Sequence, residues 1–381
     1  MKRFFSPKFL IFLIVFINLI GYGILFPILA LYEKAFNVGP FLIAAAMGAY
    51  PIAQFFSGPI LGALSDRFGR RPLLIFSLAG TVLAFLGFAY AQNILILFLA
   101  RFIDGVSGGN VSISQAYMAD ITSKEERTEG MGIISGAISL GFVVGPVIGG
   151  LFGQFGVQLP SLIAALFAFI NLILVIIFLP ETEKEEVRQK AVKLVIFREI
   201  IRALKIEKIG LALLLFFAVQ MTWSLHLPIF SLFLDQRFMV GTLIAGLLFA
   251  YRGIVSSFVQ LFLVGRGVKL FGETNLLRLA IPVMIVGLLL TGLSTSWLIL
   301  IIGLTLMELG GDFIGPVTNG IVSKWAKPEE QGEMMGIASS MGSLGRVFGP
   351  YLGGAVFQEF GTSMPFFLGA GLMGAGLMLL F

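Results

Sequence analysis

The chain has no cysteine and one histidine, His226. Disulfides, iron–sulfur clusters and thiolate zinc sites are therefore excluded, and a histidine-rich metal site with them. Charge is also scarce: 12% of the 381 residues are Asp, Glu, Lys or Arg, against about 25% in a soluble domain. No loop assembles a nucleophile, a base and an orienting group, and no cluster has metal-ligand spacing. Neither enzymatic chemistry nor a metal or other cofactor is expected.

Apolar sequence is plentiful. Hydrophobic residues make up 57% of the chain and the mean hydropathy is +0.98. A spanning helix uses roughly 20 apolar residues. Twelve stretches qualify, at 9–32, 40–63, 72–91, 94–119, 131–153, 160–179, 209–233, 241–264, 279–293, 296–322, 333–357 and 363–381. They predict an all-α membrane protein of twelve transmembrane helices. The first stretch is too long for a signal peptide, lacks a small-residue cleavage pattern and runs into a second span, so it reads as a retained helix.

Lys and Arg set the orientation. With the N-terminus inside, the cytoplasmic segments hold 21 basic residues and the opposite side holds Lys34 and Arg237 alone. Arg101, Arg252 and Arg346 fall within predicted spans. This asymmetry places both termini in the cytoplasm of an inner or plasma membrane. The basic excess is a topology signal, and no nucleic acid is expected.

A repeat organises the spans. Gly132, Gly141, Gly145, Pro146, Gly149 and Gly150 return 204 positions later as Gly336, Gly345, Gly349, Pro350, Gly353 and Gly354. Glu125-Glu126 likewise matches Glu329-Glu330, and Met131-Gly132-Ile133 matches Met335-Gly336-Ile337. The loop after the second span returns at an offset of 203, with Phe68-Gly69 as Phe271-Gly272. There Asp66 becomes Lys269 and Arg70 becomes Glu273, so the pattern survives with inverted charges. Two six-helix halves follow, 1–180 and 209–381, copied in parallel. Two such halves in a bilayer, each with a glycine-lined helix, point to a transporter.

The linker, 181–208, carries Val192, Val195, Ile196, Ile200, Ile201 and Leu204 at helical spacing, among Lys190, Lys193, Arg198, Arg202 and Lys205. It reads either as a basic amphipathic helix on the inner leaflet or as a solvated linker.

On these residues the chain resembles the major facilitator superfamily over nearly its whole length, and within it the twelve-span drug:proton antiporters related to tetracycline exporters. Gly62-x-Leu-x-Asp66-Arg67-x-Gly69-Arg70-Arg71 matches the superfamily signature between the second and third helices. Gly132 to Gly150 matches the antiporter motif of the fifth helix, and Arg101-x-x-Asp104-Gly105 stands where the fourth helix has its arginine motif. Leu179-Pro180-Glu181-Thr182 closes the sixth helix as in many members. The resemblance implies that Asp66 caps the eleventh helix across the interface of the halves and latches the outward-facing state. It also implies that Arg70 pairs with an acid at the inner end of the fourth helix, here Asp120. Charges that only enforce topology and cap helices are the alternative. Two departures stand out: the glycine motif is intact in the second half, and the first span offers Asn18 and Gly21 but no carboxylate.

An ionisable residue within a span costs about 2.5–3.5 kcal/mol and is a functional candidate by default. The fourth span carries Arg101 and Asp104 on one face, a stripe that Gly108, Ser112 and Gln115 continue. The tenth carries Glu308 and Asp312, with Asn319 two turns on; at the 204 offset Asp104 maps onto Glu308 and Gln115 onto Asn319. The resemblance places both spans, with the first and seventh, around a central cavity. Burial disfavours an ionised carboxylate and a nearby arginine favours it, the competition a proton-coupled exchanger needs. Asp104 and Glu308 are the expected proton acceptors, Asp312 the next candidate and Arg101 the tuning cation. A fixed Arg101–Asp104 ion pair holding the helix is the rival reading. Arg346 and Arg252 are candidate partners for the acids of the tenth span. Tyr22, Phe26, Trp223 and His226 are candidates to stack on an aromatic solute; His226, beside Pro228, also reads as a helix-end packing residue.

The expected function is proton-driven multidrug efflux: two six-helix bundles rock about a midplane site, and protons enter as a small amphipathic compound leaves. The protein is expected to act as a monomer in the bilayer. A symporter or facilitator of a sugar or organic acid, and a non-transporting sensor on the same scaffold, are the rivals.

Overall fold

The computed structural model describes residues 6–123, 126–182, 197–327 and 330–380. Expectations at Lys124, Glu125, Lys190, Val192, Lys193, Val195, Ile196 and Glu329 fall outside the described residues. The described residues form long helices α1 (Pro7–Phe36), α2 (Pro40–Phe68), α3 (Arg70–Ala89), α4 (Ile94–Ile121), α5 (Arg127–Gly153) and α6 (Gln158–Phe178). After a short surface helix, Phe197–Leu204, come α7 (Glu207–His226, then Phe230–Phe238) and α8 (Thr242–Phe271). The chain ends in α9 (Glu273–Leu293), α10 (Trp297–Trp325), α11 (Gln331–Phe360) and α12 (Met364–Met378). Among the described residues there is no strand.

Several boundaries follow from capping. Ser6 accepts the Phe9 amide at the start of α1, Asn93 the Ile96 amide at α4, and Ser296 the Ile299 amide at α10, each satisfying an amide left over in the first turn. Most helices outrun their apolar windows, because charged residues such as Asp66 and Arg67 continue the helix once it leaves the hydrocarbon. Large apolar side chains on their outer faces are exposed, for example Phe56, Leu83 and Leu298, as lipid contact requires.

Four helices are irregular where the sequence reading had unbroken spans. α1 tightens into a 3₁₀ turn at Phe26–Ile28 and α7 breaks at 227–229; Pro27 and Pro228 lack the amide that continuity needs. α8 widens into a π turn at Val259–Leu263. α4 breaks at 107–109, where Gly108-Gly109 follows Ser107. Side chains answer the carbonyls around that break: Ser57 Oγ donates to Gly105 O (2.8 Å), Gln54 Nε2 to Gly108 O (2.8 Å) and Ser77 Oγ to Ser107 O. Ser77 Oγ also accepts the Gly109 amide. A broken helix persists at membrane depth only with such substitutes.

Two compact units result. The first comprises Met1–Val38, Ala49–Lys193 and Val240–Gly253; the second comprises Gly39–Gly48, Leu194–Met239 and Ile254–Phe381. The start of α2 thus belongs to the second unit and the start of α8 to the first, and within each unit the repeated glycines show what holds these segments. In the first unit, Gly141, Gly145 and Gly149 lie against the backbone of α1 between Phe16 and Ile24, while Gly150 and Pro146 meet Thr242 and Gly246 of α8. In the second, Gly345, Gly349 and Gly353 lie against α7 between Phe217 and Leu225, while Gly354 and Pro350 meet Phe41, Ala44 and Gly48 of α2. Small residues permit this backbone approach. Gly132 faces open space and Gly336 is half-buried.

The surface helix seats Ala203 and packs Ile200 and Leu204 against a core that includes Leu213 and Ile337. Ile201, placed by the pattern on the same face, is instead exposed, because Ala203 takes the inward position. Arg202 pairs with Glu330 at 3.0 Å.

Candidate functional site

In the first unit the carboxylate of Asp104 accepts from Arg101 Nη1 at 2.8 Å. Arg101 is fully buried and Asp104 is 4% exposed. The guanidinium lies over the rings of Tyr50 (4.5 Å), Tyr22 (5.2 Å) and Phe88 (5.8 Å), faces that attract a cation. Its Nε and Nη2 have no hydrogen-bond partner among the described residues. Thr81 Oγ1 donates to the second Asp104 oxygen at 3.2 Å and accepts from Asn110 Nδ2 at 3.2 Å. α3 therefore supports the acid, and the break in α4 brings Asn110 back to the same hydroxyl.

Beyond the break, Ser112 and Gln115 are exposed, while the ion pair is sealed. Tyr22 is half-buried and packs edge-on to Phe26 and Phe142. Arg252, also in this unit, is 4% exposed, with its guanidinium 5.9 Å from the Phe249 ring.

In the second unit α10 stays continuous. Glu308 is 3% exposed; Asp312, one turn on, is half-buried and accepts from Gln260 Nε2 at 3.1 Å. Gln260 sits in the π turn of α8 and also donates to Ser256 Oγ at 3.1 Å. Trp223 of α7 packs beside Gly311, between the two acids in sequence. His226 is fully buried, stacked on Phe366 at 5.5 Å with Trp223 edge-on at 5.4 Å. Its ring thus packs between residues of α7 and α12. Asn319 is half-buried, and Arg346 Nη2 donates to Ser343 Oγ at 2.9 Å.

The α2–α3 turn is a polar knot. Arg70 donates from Nε to Asp120 Oδ2 (3.0 Å) and from Nη1 to Ser65 Oγ (2.7 Å), with Asp66 Oδ1 2.5 Å from Nη1. The Glu181 carboxylate accepts the amides of Arg70 (2.9 Å) and Arg71 (3.1 Å), capping α3 where the macrodipole favours an anion. Gly69 has φ +103°, and a Cβ there would strike that same carboxylate. Arg71 reaches the other way and donates to the Val175 and Ile176 carbonyls that end α6. Ser65 Oγ returns a bond to Gly62 O at 2.8 Å, and Arg67 stays exposed over Phe68.

Sequence reasoning passed over Tyr50, Gln54, Ser57, Ser77, Thr81 and Gln260. Their signal was available: polar residues recurring at three- or four-residue steps within apolar spans. Glu181 belongs to a helix-closing sequence motif, but the amides it caps, those of Arg70 and Arg71, lie about 110 positions away.

Comparison with known proteins fits this architecture. The sequence pattern of the Major Facilitator Superfamily matches residues 11–289 and again 212–381, consistent with the duplication. The class H tetracycline resistance protein of Pasteurella multocida is 29% identical over 351 residues, covering 90% of this chain and 87% of that protein. Multidrug resistance protein 2 of Bacillus subtilis is 29% identical over 388 residues, covering 99% and 96%. The crystal structure of the human organic anion transporter MFSD10 superposes with a TM-score of 0.71 at 25% identity, covering 99% of this chain and all of that one. A duplicated set of twelve helices, with charges sealed inside them, is accounted for: the chain belongs to the Major Facilitator Superfamily and is a multi-pass membrane transporter.

Proposed function

We propose that the protein exports a small amphipathic, drug-like compound in exchange for protons by alternating access, as a monomer with both termini in the cytoplasm. The observation that carries this reading is Asp104 and Glu308. They stand at equivalent positions of the two halves, and each is almost sealed within a membrane-spanning helix. An ionised carboxylate there is expensive, and taking up a proton removes the expense. Arg101 opposes protonation of Asp104 by holding its anion, and Thr81 adds a second bond to that anion. A proton gained from the acidic side is thus poised for release once the cavity turns. The names of the tetracycline and multidrug resistance relatives support an exported, drug-like substrate. The excess of basic residues on one side supports the orientation. In this reading the Arg70–Asp66–Asp120 knot steadies one state of the cycle and is remade at each turn.

One observation favours a second reading. Arg101 keeps two guanidinium nitrogens without a hydrogen-bond partner among the described residues, and one solved relative is an organic anion transporter. Protonation of Asp104 would free Arg101 for a substrate carboxylate, so that proton and organic acid travel together.

Inverted membrane vesicles holding a pH gradient separate the two. Amphipathic drugs should collapse the gradient in vesicles containing the protein and leave control vesicles unchanged. Silence across the drug panel, with an organic acid carrying protons in its own direction, would establish the second reading instead.

A further inference from the structure

In the second unit a cavity of about 340 Å³ lies between the end of α8, the start of α9 and the middle of α10. Its volume sits at the low end of ligand pockets, roughly 300–1,000 Å³. The walls are apolar: Leu276, Ala280 and Val283 from α9, Leu309 and Phe313 from α10, and Leu263 from the π turn of α8. Gly267 makes room one turn later, since a Cβ there would press on Leu276 and Phe313. The single charged lining residue is Arg266.

Three observations say what fits. The first is depth. Val283 lies ten residues into α9, about 15 Å along the axis at 1.5 Å per residue, which is half of a hydrocarbon core about 30 Å thick. The cavity is therefore as deep as one leaflet. The second is charge. Arg266 spends one nitrogen on Phe262 O at 2.9 Å. Neither Arg266 nor the exposed Lys269 has a carboxylate within ion-pair distance among the described residues. The third is the change between the repeats. Where the first half has Asp66 and Arg67, the second has Lys269 and Leu270, and Leu270 is 76% exposed. An anion has been exchanged for a cation, and a cation for an exposed apolar side chain, at the level where head groups meet acyl chains.

The geometry points to a binding site for an anionic phospholipid, with one acyl chain in the groove and the head-group phosphate on Arg266 and Lys269. A polar solute finds no partner along the walls, and a zwitterionic lipid leaves the two cations only partly answered. The bound chain touches Leu309 and Phe313, the neighbours in sequence of Glu308 and Asp312, so lipid composition acts on the helix that carries both acids.

The test is native mass spectrometry of the purified full chain released from an equimolar mixture of phosphatidylglycerol and phosphatidylcholine. Wild-type protein should retain phosphatidylglycerol roughly thirtyfold in preference, the scale expected of two surface cations at about 1 kcal/mol each. Arg266→Gln/Lys269→Gln should abolish the preference. Lys205→Gln/Lys327→Gln, which removes equal charge elsewhere on the same side, should preserve it. Gly267→Leu, filling the groove with both cations intact, should also lose the retained lipid; Ala280→Leu replaces it if that variant is not monodisperse. Equal loss in the two double variants would show diffuse attraction and overturn the site. Undiminished retention in the groove-filling variant would place the chain elsewhere.

Discussion

Glu273 and Lys324 lie 3.6 Å apart in the second unit, at the positions that Arg70 and Asp120 hold in the first. The duplication kept the ion pair and exchanged its signs. The two pairs differ in setting: Lys324 is 66% exposed, whereas Arg70 is 11% exposed and also binds Asp66 and Ser65. An exposed pair contributes about 0–1 kcal/mol, and a charge-assisted hydrogen bond about 1.5–3 kcal/mol. Glu273→Gln should therefore leave thermal unfolding in detergent nearly unchanged, while Arg70→Gln lowers the midpoint clearly. Equal effects would mean that the knot holds no more of the fold than its inverted copy.

The Arg101–Asp104 pair makes a sharper demand. Removing one partner of a buried pair leaves an uncompensated charge and costs about 3–5 kcal/mol, whereas apolar replacement of both is often tolerated. Asp104→Asn should lower the unfolding midpoint strongly, and Arg101→Met/Asp104→Leu should recover much of the loss. If the double replacement unfolds no later than the single one, the pair does not behave as one electrostatic unit.

The glycine motif contains its own control. A Cβ on Gly145 would approach Ile20 O at 2.6 Å and Gly23 Cα at 3.0 Å, and one on Gly349 would strike Ser224, but Gly132 faces open space. Overpacking a tight seam costs typically about 1–3 kcal/mol. Gly145→Ala and Gly349→Ala should each reduce the yield of folded protein, while Gly132→Ala should match wild type. Similar yields for all three would remove the seam as the reason the motif is repeated.

The spans were legible because length and hydropathy alone decide whether a helix crosses hydrocarbon. The interruptions were not, although Pro27, Pro228 and Gly108-Gly109 stood in plain view. Pro51, Pro59, Pro146, Pro282, Pro316 and Pro350 all remain inside unbroken helices. Whether a helix breaks depends on which neighbours answer the freed carbonyls, as Ser57, Gln54 and Ser77 do for α4, and those neighbours come from distant sequence. His226 was ambiguous for a related reason: its enclosure depends on Phe366, 140 positions away. The Arg70–Asp120 contact, by contrast, followed from motif resemblance before any coordinate.

Proton coupling through buried carboxylates is tested most directly by reconstituting the protein and following lumenal pH and labelled drug together, in wild type and in Glu308→Gln. Drug should drive counter-flow of protons in wild type. In the variant proton movement should cease while drug still exchanges down its own gradient. Undiminished drug-driven proton flux in Glu308→Gln, and equally in correctly folded Asp104→Asn, would contradict the assignment of the proton to these acids.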